Sequence, residues 1–215
     1  MGEPPSRNPR VRLTPSKIVC VGRNYLDHVR ELGNEVPKEP LIFLKPPSSM
    51  IGNGDPIILP ELSRQVEHEG EIGIVVGVQL RRAERDEASR AVRGVVAAND
   101  VTARDLQRSD TQWTRAKGFD TFCPLGDEAP APRDLRDLTV VTRVNGRERQ
   151  RGSASEMAFD IPTLLSFISR VMTLEPGDLV LTGTPAGVAK LEPGDEVEVE
   201  VVGLSRVRNP VTVDR

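Results

Sequence analysis

Glu67-His68-Glu69-Gly70-Glu71 runs directly into Ile72-Gly73-Ile74-Val75-Val76-Gly77-Val78. The second half is short, apolar and β-branched, so it reads as a buried strand. Side chains alternate across a strand, which sends Glu69 and Glu71 to the same face. Two carboxylates side by side at the mouth of a buried strand repel one another and resist desolvation. A hard divalent cation with oxygen ligands is one compensation. A solvated strand end, with Glu67, Glu69 and Glu71 facing water, is the other. His68 has the opposite parity and is expected to point away from that face as a structural residue.

Beyond this strand, Arg81–Arg93 carries a helical pattern closed by Gly94, and Val95–Asp100 reads as a second buried strand ending in a carboxylate. Asp100 therefore stands at a strand end, where a rigid scaffold can hold a functional group. Thr102–Gln107 reads as a short helix with Thr102 and Asp105 in capping-box positions. A polar loop over Arg108–Ala116 holds Trp113, and Lys117 follows beside Gly118 and Phe119. Such a lysine is either an amine of depressed pKa or a charge that neutralises an anion.

On the N-terminal side, Lys17–Val21 reads as the first strand, and Asn24 is placed to cap a helix over Tyr25–Leu32. His28 and Glu31 are neighbours on one face of that helix. A carboxylate beside an imidazole fixes its tautomer and raises its basicity, as a water-activating base requires. The pair is equally readable as an ordinary surface contact contributing ~0.2–0.5 kcal/mol. Residues 34–40 are polar and punctuated by proline, a hinge that with the helix would make a lid. Leu41–Lys45 and Pro56–Pro60 are further strands. Toward the C-terminus, Leu138–Val144, an Asn145-Gly146 turn and Arg147–Gln150 form a hairpin. Thr163–Met172 is an amphipathic helix with Pro162 in its first turn, and Leu179–Leu181 is a strand. The small-residue loop Thr182–Gly187 is either a plain turn or an anion cradle. Glu196–Val202 alternates charge with valine as a half-exposed strand. The sum is an α+β, β-dominated chain with a few short helices: a flexible lead-in over residues 1–16 and a single domain over 17–215.

The composition narrows function by exclusion. A net charge of -3 gives no polyanion-binding signature, and 3% aromatic residues provide no stacking platform for single-stranded nucleic acid. No apolar run approaches the ~20 residues that cross a bilayer, and no signal peptide is visible. Met1–Ser6 fits an N-myristoylation pattern only loosely, and its paired prolines favour a disordered tail. Cys20 and Cys123 lack metal-type spacing and read as free thiols of a reducing cytoplasm. Of 29 basic residues only Lys17, Lys38, Lys45, Lys117 and Lys190 are lysine, so each retained lysine is a weak cue to a compact or titratable charge.

Several segments occur together in one order: Val21-Gly22-Arg23-Asn24-Tyr25, Phe43-Leu44-Lys45-Pro46, Glu69-Gly70-Glu71, Asn99-Asp100-Val101-Thr102-Ala103-Arg104-Asp105, Lys117-Gly118-Phe119-Asp120, Cys123-Pro124-Leu125-Gly126 and Leu181-Thr182-Gly183-Thr184-Pro185. Over residues 17–213 the chain resembles the fumarylacetoacetate hydrolase family. It is most similar to the short members: acylpyruvate hydrolases, oxaloacetate decarboxylases and 2-hydroxyhepta-2,4-diene-1,7-dioate isomerases. The resemblance implies the mixed β-roll of that family's C-terminal domain and a homodimer. It implies Glu69, Glu71 and Asp100 as ligands of Mg2+, with Mn2+ or Ca2+ as alternatives, Lys117 as the active-site lysine, and His28 with Glu31 as a water-activating dyad. Arg23, Arg104, Gln107 and Thr184 match positions near the substrate. Gly118 stands where many relatives carry serine, and the loop before Trp113 is shorter than in some acylpyruvases, so the substrate is left open.

The expected chemistry is metal-dependent cleavage of a C–C bond in a small 2-oxo or β-dicarbonyl acid. Isomerisation of a 2-hydroxydienoate, or tautomerisation of an oxo acid, is the alternative. A third class, a non-catalytic protein in which metal merely pins the sheet, fits poorly with the lysine and the dyad. The expected partner is a small oxo acid, with neither nucleic acid nor membrane.

Overall fold

The computed structural model describes residues 13–25 and 37–213. In chain order the first strands are β1 (Ile18–Gly22), β2 (Leu41–Lys45), β3 (Met50–Ile51), β4 (Ile57–Leu59), β5 (Val66–Glu67), β6 (Gly70–Val76), β7 (Val92–Asn99) and β8 (Thr102–Ala103). They are followed by β9 (Cys123–Pro124), β10 (Ala129–Pro130), β11 (Thr139–Val144), β12 (Arg147–Ser153), β13 (Leu179–Leu181), β14 (Glu196–Val201) and β15 (Ser205–Val213). The α-helices among the described residues are α1 (Arg85–Arg90), α2 (Arg104–Ser109), α3 (Thr114–Lys117) and α4 (Ile161–Val171). Two larger sheets carry the molecule, ordered β10-β7-β6-β13-β1-β2 and β12-β11-β14-β15-β4. Both are mixed, since β1 runs parallel to β13 and β15 parallel to β4, while the other pairs are antiparallel. The β-dominated α+β class expected from the sequence is the observed one.

The strand β6 lies inside the first sheet and is buried along its whole length, which explains its nearly continuous apolar run. Ile72, Ile74 and Val76 join the main core with Val95, Ala97, Val197, Val199 and Val207. Val75, of opposite parity, packs in a second cluster with Cys20, Val96, Ala98 and Leu181. The helix α4 starts where Asp160 caps the amide of Thr163 and Pro162 fills the first turn. It buries Leu164, Leu165 and Ile168 in the main core. The β11–β12 hairpin turns at Asn145 (φ 52°) and Gly146 (φ 74°), the pair of left-handed residues that a two-residue hairpin loop needs.

Registry gathers the chemistry at one end of the first sheet. Gly70 pairs with Asn99, so the start of β6 lies beside the end of β7 and Asp100 follows at once. Leu181 pairs with Gly73, and Cys20 with Leu181, so the loops leaving β13 and β1 emerge at the same end.

Three local expectations change. The strand expected over Glu67–Val78 is interrupted at His68–Glu69, where the Glu69 amide donates to the Asn99 side-chain oxygen (3.0 Å) instead of a ladder partner. The helix expected over Arg81–Arg93 is only Arg85–Arg90, because Val92 already pairs with Val76 in the sheet. Thr102 is no helix cap: it belongs to β8, its hydroxyl donates to the Asp100 carbonyl (2.8 Å), and α2 begins at Arg104.

Gly70 is required by close approach between the two sheets. A Cβ at that position would lie 1.8 Å from the buried Thr142 hydroxyl oxygen. Gly70→Ala is therefore expected to destabilise the protein by ~1–3 kcal/mol, the usual range for overpacking. A urea unfolding midpoint that drops at unchanged slope is the check.

Candidate metal centre and active site

Glu69, Glu71 and Asp100 are all buried, and each presents a carboxylate oxygen within 4.8 Å of the others'. Among the described residues, three cations and one backbone amide contact them. Lys117, at the end of α3, donates to Glu69 Oε2 (2.8 Å) and Asp100 Oδ2 (2.6 Å). Lys45, at the end of β2, donates to Asp100 Oδ1 (2.6 Å) and the Val101 carbonyl (3.2 Å). Arg104, the first residue of α2, bridges Glu67 Oε2 (2.9 Å) and Glu69 Oε1 (2.6 Å) and donates to Gln107 Oε1 (2.6 Å). The Gly183 amide donates to Glu71 Oε2 (2.7 Å). The small-residue loop after β13 thus turns one backbone amide toward the protein's own Glu71 carboxyl.

No lysine or arginine forms an ion pair with Glu71 among the described residues, although the nearby Lys117 charge favours its ionised form. Burial, followed by the neighbouring Asp100 and Glu69 charges, pushes its carboxyl well above the usual range. Burial opposes the charge on Lys117, but the Asp100 and Glu69 carboxylates more than offset it and hold the ammonium above its ordinary value. Of the two sequence readings of Lys117, the anion-neutralising charge is the one the geometry supports. Four buried carboxylates, counting Glu67, face three buried cations, leaving one negative charge uncompensated when all are ionised. An all-oxygen donor set with an excess of negative charge fits a hard divalent cation and suits soft metals poorly.

The cluster forms the floor of a cleft of about 330 Å³. Arg23, Arg104, Gln107 and Thr184, the residues expected near a substrate, all line it together with Lys117. Arg23 holds a left-handed backbone (φ 59°) at the exit of β1, an unusual conformation for a residue with a side chain. Phe43 and Trp113 form one wall, edge to face at 5.3 Å. Lys117 Nζ stands 5.0 Å from the Phe43 ring centre. Gly22 lies under the indole, where a Cβ would come within 3.0 Å of Trp113. His28 and Glu31 lie outside the described residues.

Sequence reasoning did not assign a site role to Lys45 or to Arg108, which also lines the cleft. The scarcity of lysine was the available signal for Lys45. His68 is fully buried, and its Nδ1 lies 3.0 Å from the Gln150 side-chain oxygen. Burial lowers its pKa.

Fold and site together define a β-dominated α+β protein with a buried acidic cluster able to hold a metal ion. The profile described as "Fumarylacetoacetate (FAA) hydrolase C-terminal" matches residues 17–212. The chain is 44% identical over 198 residues to the mitochondrial oxaloacetate decarboxylase of Dictyostelium discoideum, covering 89% of this chain and 91% of that protein. It is also 44% identical over 199 residues to the mitochondrial oxaloacetate tautomerase of Arabidopsis thaliana, covering 90% of this chain and 89% of that protein. The crystal structure of 2-hydroxyhepta-2,4-diene-1,7-dioate isomerase from Mycobacterium marinum superposes with a TM-score of 0.86 at 44% identity, covering 94% of this chain and 76% of that one. The chain belongs to the fumarylacetoacetate hydrolase family. It is an enzyme of that family, and no described helix is long and apolar enough to cross a membrane.

Proposed function

We propose that the protein is a Mg2+-dependent enzyme that cleaves a C–C bond in small 2-oxo or β-dicarbonyl acids, as an oxaloacetate decarboxylase or acylpyruvate hydrolase does. The observation that carries this reading is the convergence of Glu69, Glu71 and Asp100 on the floor of a cleft that also holds Lys117. Those three carboxylates would hold the cation, which supplies Lewis-acid polarisation of a 2-oxo acid's oxygens. Lys117 keeps its proton and offsets the negative charge that develops on the keto oxygen as the C–C bond breaks. Lys45 and Arg104 hold Asp100 and Glu69 in their ligand rotamers. Arg23 and Arg108 pair with no carboxylate among the described residues and line the same cleft. They are the cations available to a second carboxylate on the substrate. Phe43 and Trp113 exclude water from one side.

The test is direct. Oxaloacetate, acetylpyruvate and fumarylpyruvate are incubated with Mg2+ and with EDTA, and pyruvate release is followed by a coupled dehydrogenase. Mg2+-dependent pyruvate formation above the protein-free rate supports the reading, and its absence for all three substrates contradicts it. A second reading, tautomerisation or isomerisation, is favoured by the names of the Arabidopsis and Mycobacterium relatives. It needs the same cluster but releases no pyruvate, so the enol absorbance would change while the coupled assay stayed silent.

The dyad separates hydrolysis from decarboxylation. For hydrolysis, His28 with Glu31 takes a proton from the attacking water, whereas decarboxylation needs no activated water. His28→Ala is expected to slow acylpyruvate hydrolysis by ~10²- to 10⁴-fold, the usual contribution of a general base. Equal hydrolysis by the variant would remove the hydrolytic assignment. The homodimer of this reading is checked by light scattering.

A further inference from the structure

Gln150 belongs to β12, in the sheet opposite the metal-ligand segment, and is 1% exposed. All four hydrogen-bonding positions of its carboxamide are used. Its Oε1 accepts from the Gly70 amide (3.0 Å) and lies 3.0 Å from His68 Nδ1. Its Nε2 donates to the Thr184 hydroxyl (2.7 Å) and the Pro185 carbonyl (2.8 Å). The orientation is fixed by chemistry: a backbone amide can only donate and a carbonyl can only accept, so oxygen must face Gly70 and nitrogen must face Pro185. His68 Nδ1 must then carry the proton.

The Thr184 hydroxyl in turn donates to the Gly70 carbonyl (2.9 Å). The bonds close a ring: Gly70 amide to Gln150, Gln150 to Thr184, Thr184 back to the Gly70 carbonyl. Gly70 is the residue between Glu69 and Glu71, and Thr184 lines the cleft. One neutral side chain from the second sheet therefore fixes the separation between the ligand segment and the loop that faces the substrate. The Gly183 amide bond to Glu71 tightens the same two segments from the other side.

We propose that Gln150 is a positioning residue for the metal centre, holding Gly70 and Thr184 in one hydrogen-bonded ring so that Glu69 and Glu71 are set for a cation before it arrives. This rests on the metal reading above, so the test has one arm that needs no metal. Gln150→Met keeps the length of the side chain and removes all four bonds. In the metal-free protein, amide hydrogen exchange across Glu69–Glu71 and Thr184 is expected to quicken by ~10-fold or more, as a protecting bond of the usual strength is lost. In the second arm, Mn2+ binding followed by electron paramagnetic resonance is expected to weaken by ~10- to 100-fold, the range for residues that orient metal ligands.

Thr184→Val opens the same ring at its other end and guards against a Gln150 variant that does not fold. The two substitutions together are expected to weaken Mn2+ binding no more than the stronger one alone, because they break one unit. A folded Gln150→Met protein with wild-type exchange and wild-type Mn2+ affinity overturns the proposal, as does strict additivity of the two substitutions. Failure of the wild type to bind Mn2+ would overturn the metal reading instead, and the exchange arm alone would then decide the role of Gln150.

Discussion

Glu71→Gln is expected to lower kcat/KM in Mg2+ by ~10³-fold or more, with no loss of stability in the metal-free protein. The first half follows from the cluster. Glu71 supplies one of three carboxylates, and losing several kcal/mol of metal-ion stabilisation corresponds to ~10³-fold at about 1.4 kcal/mol per tenfold. The second half follows from its surroundings. Glutamine retains an oxygen for the Gly183 amide at the site of the present 2.7 Å bond. It also removes a buried carboxyl whose ionised form burial and the neighbouring Asp100 and Glu69 charges disfavour, and which forms no ion pair among the described residues. Thermal unfolding with EDTA and kinetics with Mg2+ read the two halves separately. A variant as active as the wild type would remove Glu71 from the ligand set. One markedly less stable without metal would show that Glu71 holds the fold.

Lys117→Met carries the second large effect, a fall of ~10²- to 10³-fold in kcat, the scale measured when one preorganised donor to a developing oxyanion is removed. Here stability is expected to fall as well. The ammonium bonds both Glu69 and Asp100, and truncating one partner of a buried pair leaves charges uncompensated, at a cost of ~3–5 kcal/mol. Added Mg2+ would offset part of that loss by neutralising the same carboxylates. The contrast with Glu71→Gln is diagnostic, because both variants lose activity while only the lysine variant is unstable without metal. A lysine variant with unaltered kcat would confine Lys117 to a structural role.

Much of this centre is legible along the chain, because its acidic residues occupy strand ends that apolar runs mark clearly. The run Ile72–Val78 and the run Val95–Ala98 identify neighbouring buried strands, and antiparallel pairing then brings Glu69, Glu71 and Asp100 together. The hairpin at Asn145-Gly146 is equally visible, since two left-handed residues in succession admit few alternatives. The break at His68–Glu69 is hidden, because it depends on the Asn99 side chain capturing the Glu69 amide from 30 residues away. The pattern over Arg81–Arg93 predicts a longer helix than forms, because it continues into Val92, whose pairing with Val76 ends the helix.

Lys45 sits on an edge strand, where a lysine ordinarily reads as solvated. Its burial is set by Asp100, 55 positions later. Gln150 is harder still. It lies within Arg147-Glu148-Arg149-Gln150-Arg151, a run with no hydrophobic residue, and only the packing of one sheet on the other turns its carboxamide inward. Local pattern finds the carboxylates that end strands, and tertiary packing alone reveals the groups that hold them.

If three carboxylates drawn from two strand ends hold one divalent cation, turnover depends on that cation. Oxaloacetate turnover measured before chelation, after EDTA and dialysis, and after Mg2+ is restored tests it most directly. Turnover is expected to be lost on chelation and fully recovered with Mg2+ in the wild type, with no recovery in Glu71→Gln. Undiminished turnover by the chelated wild-type protein would contradict it.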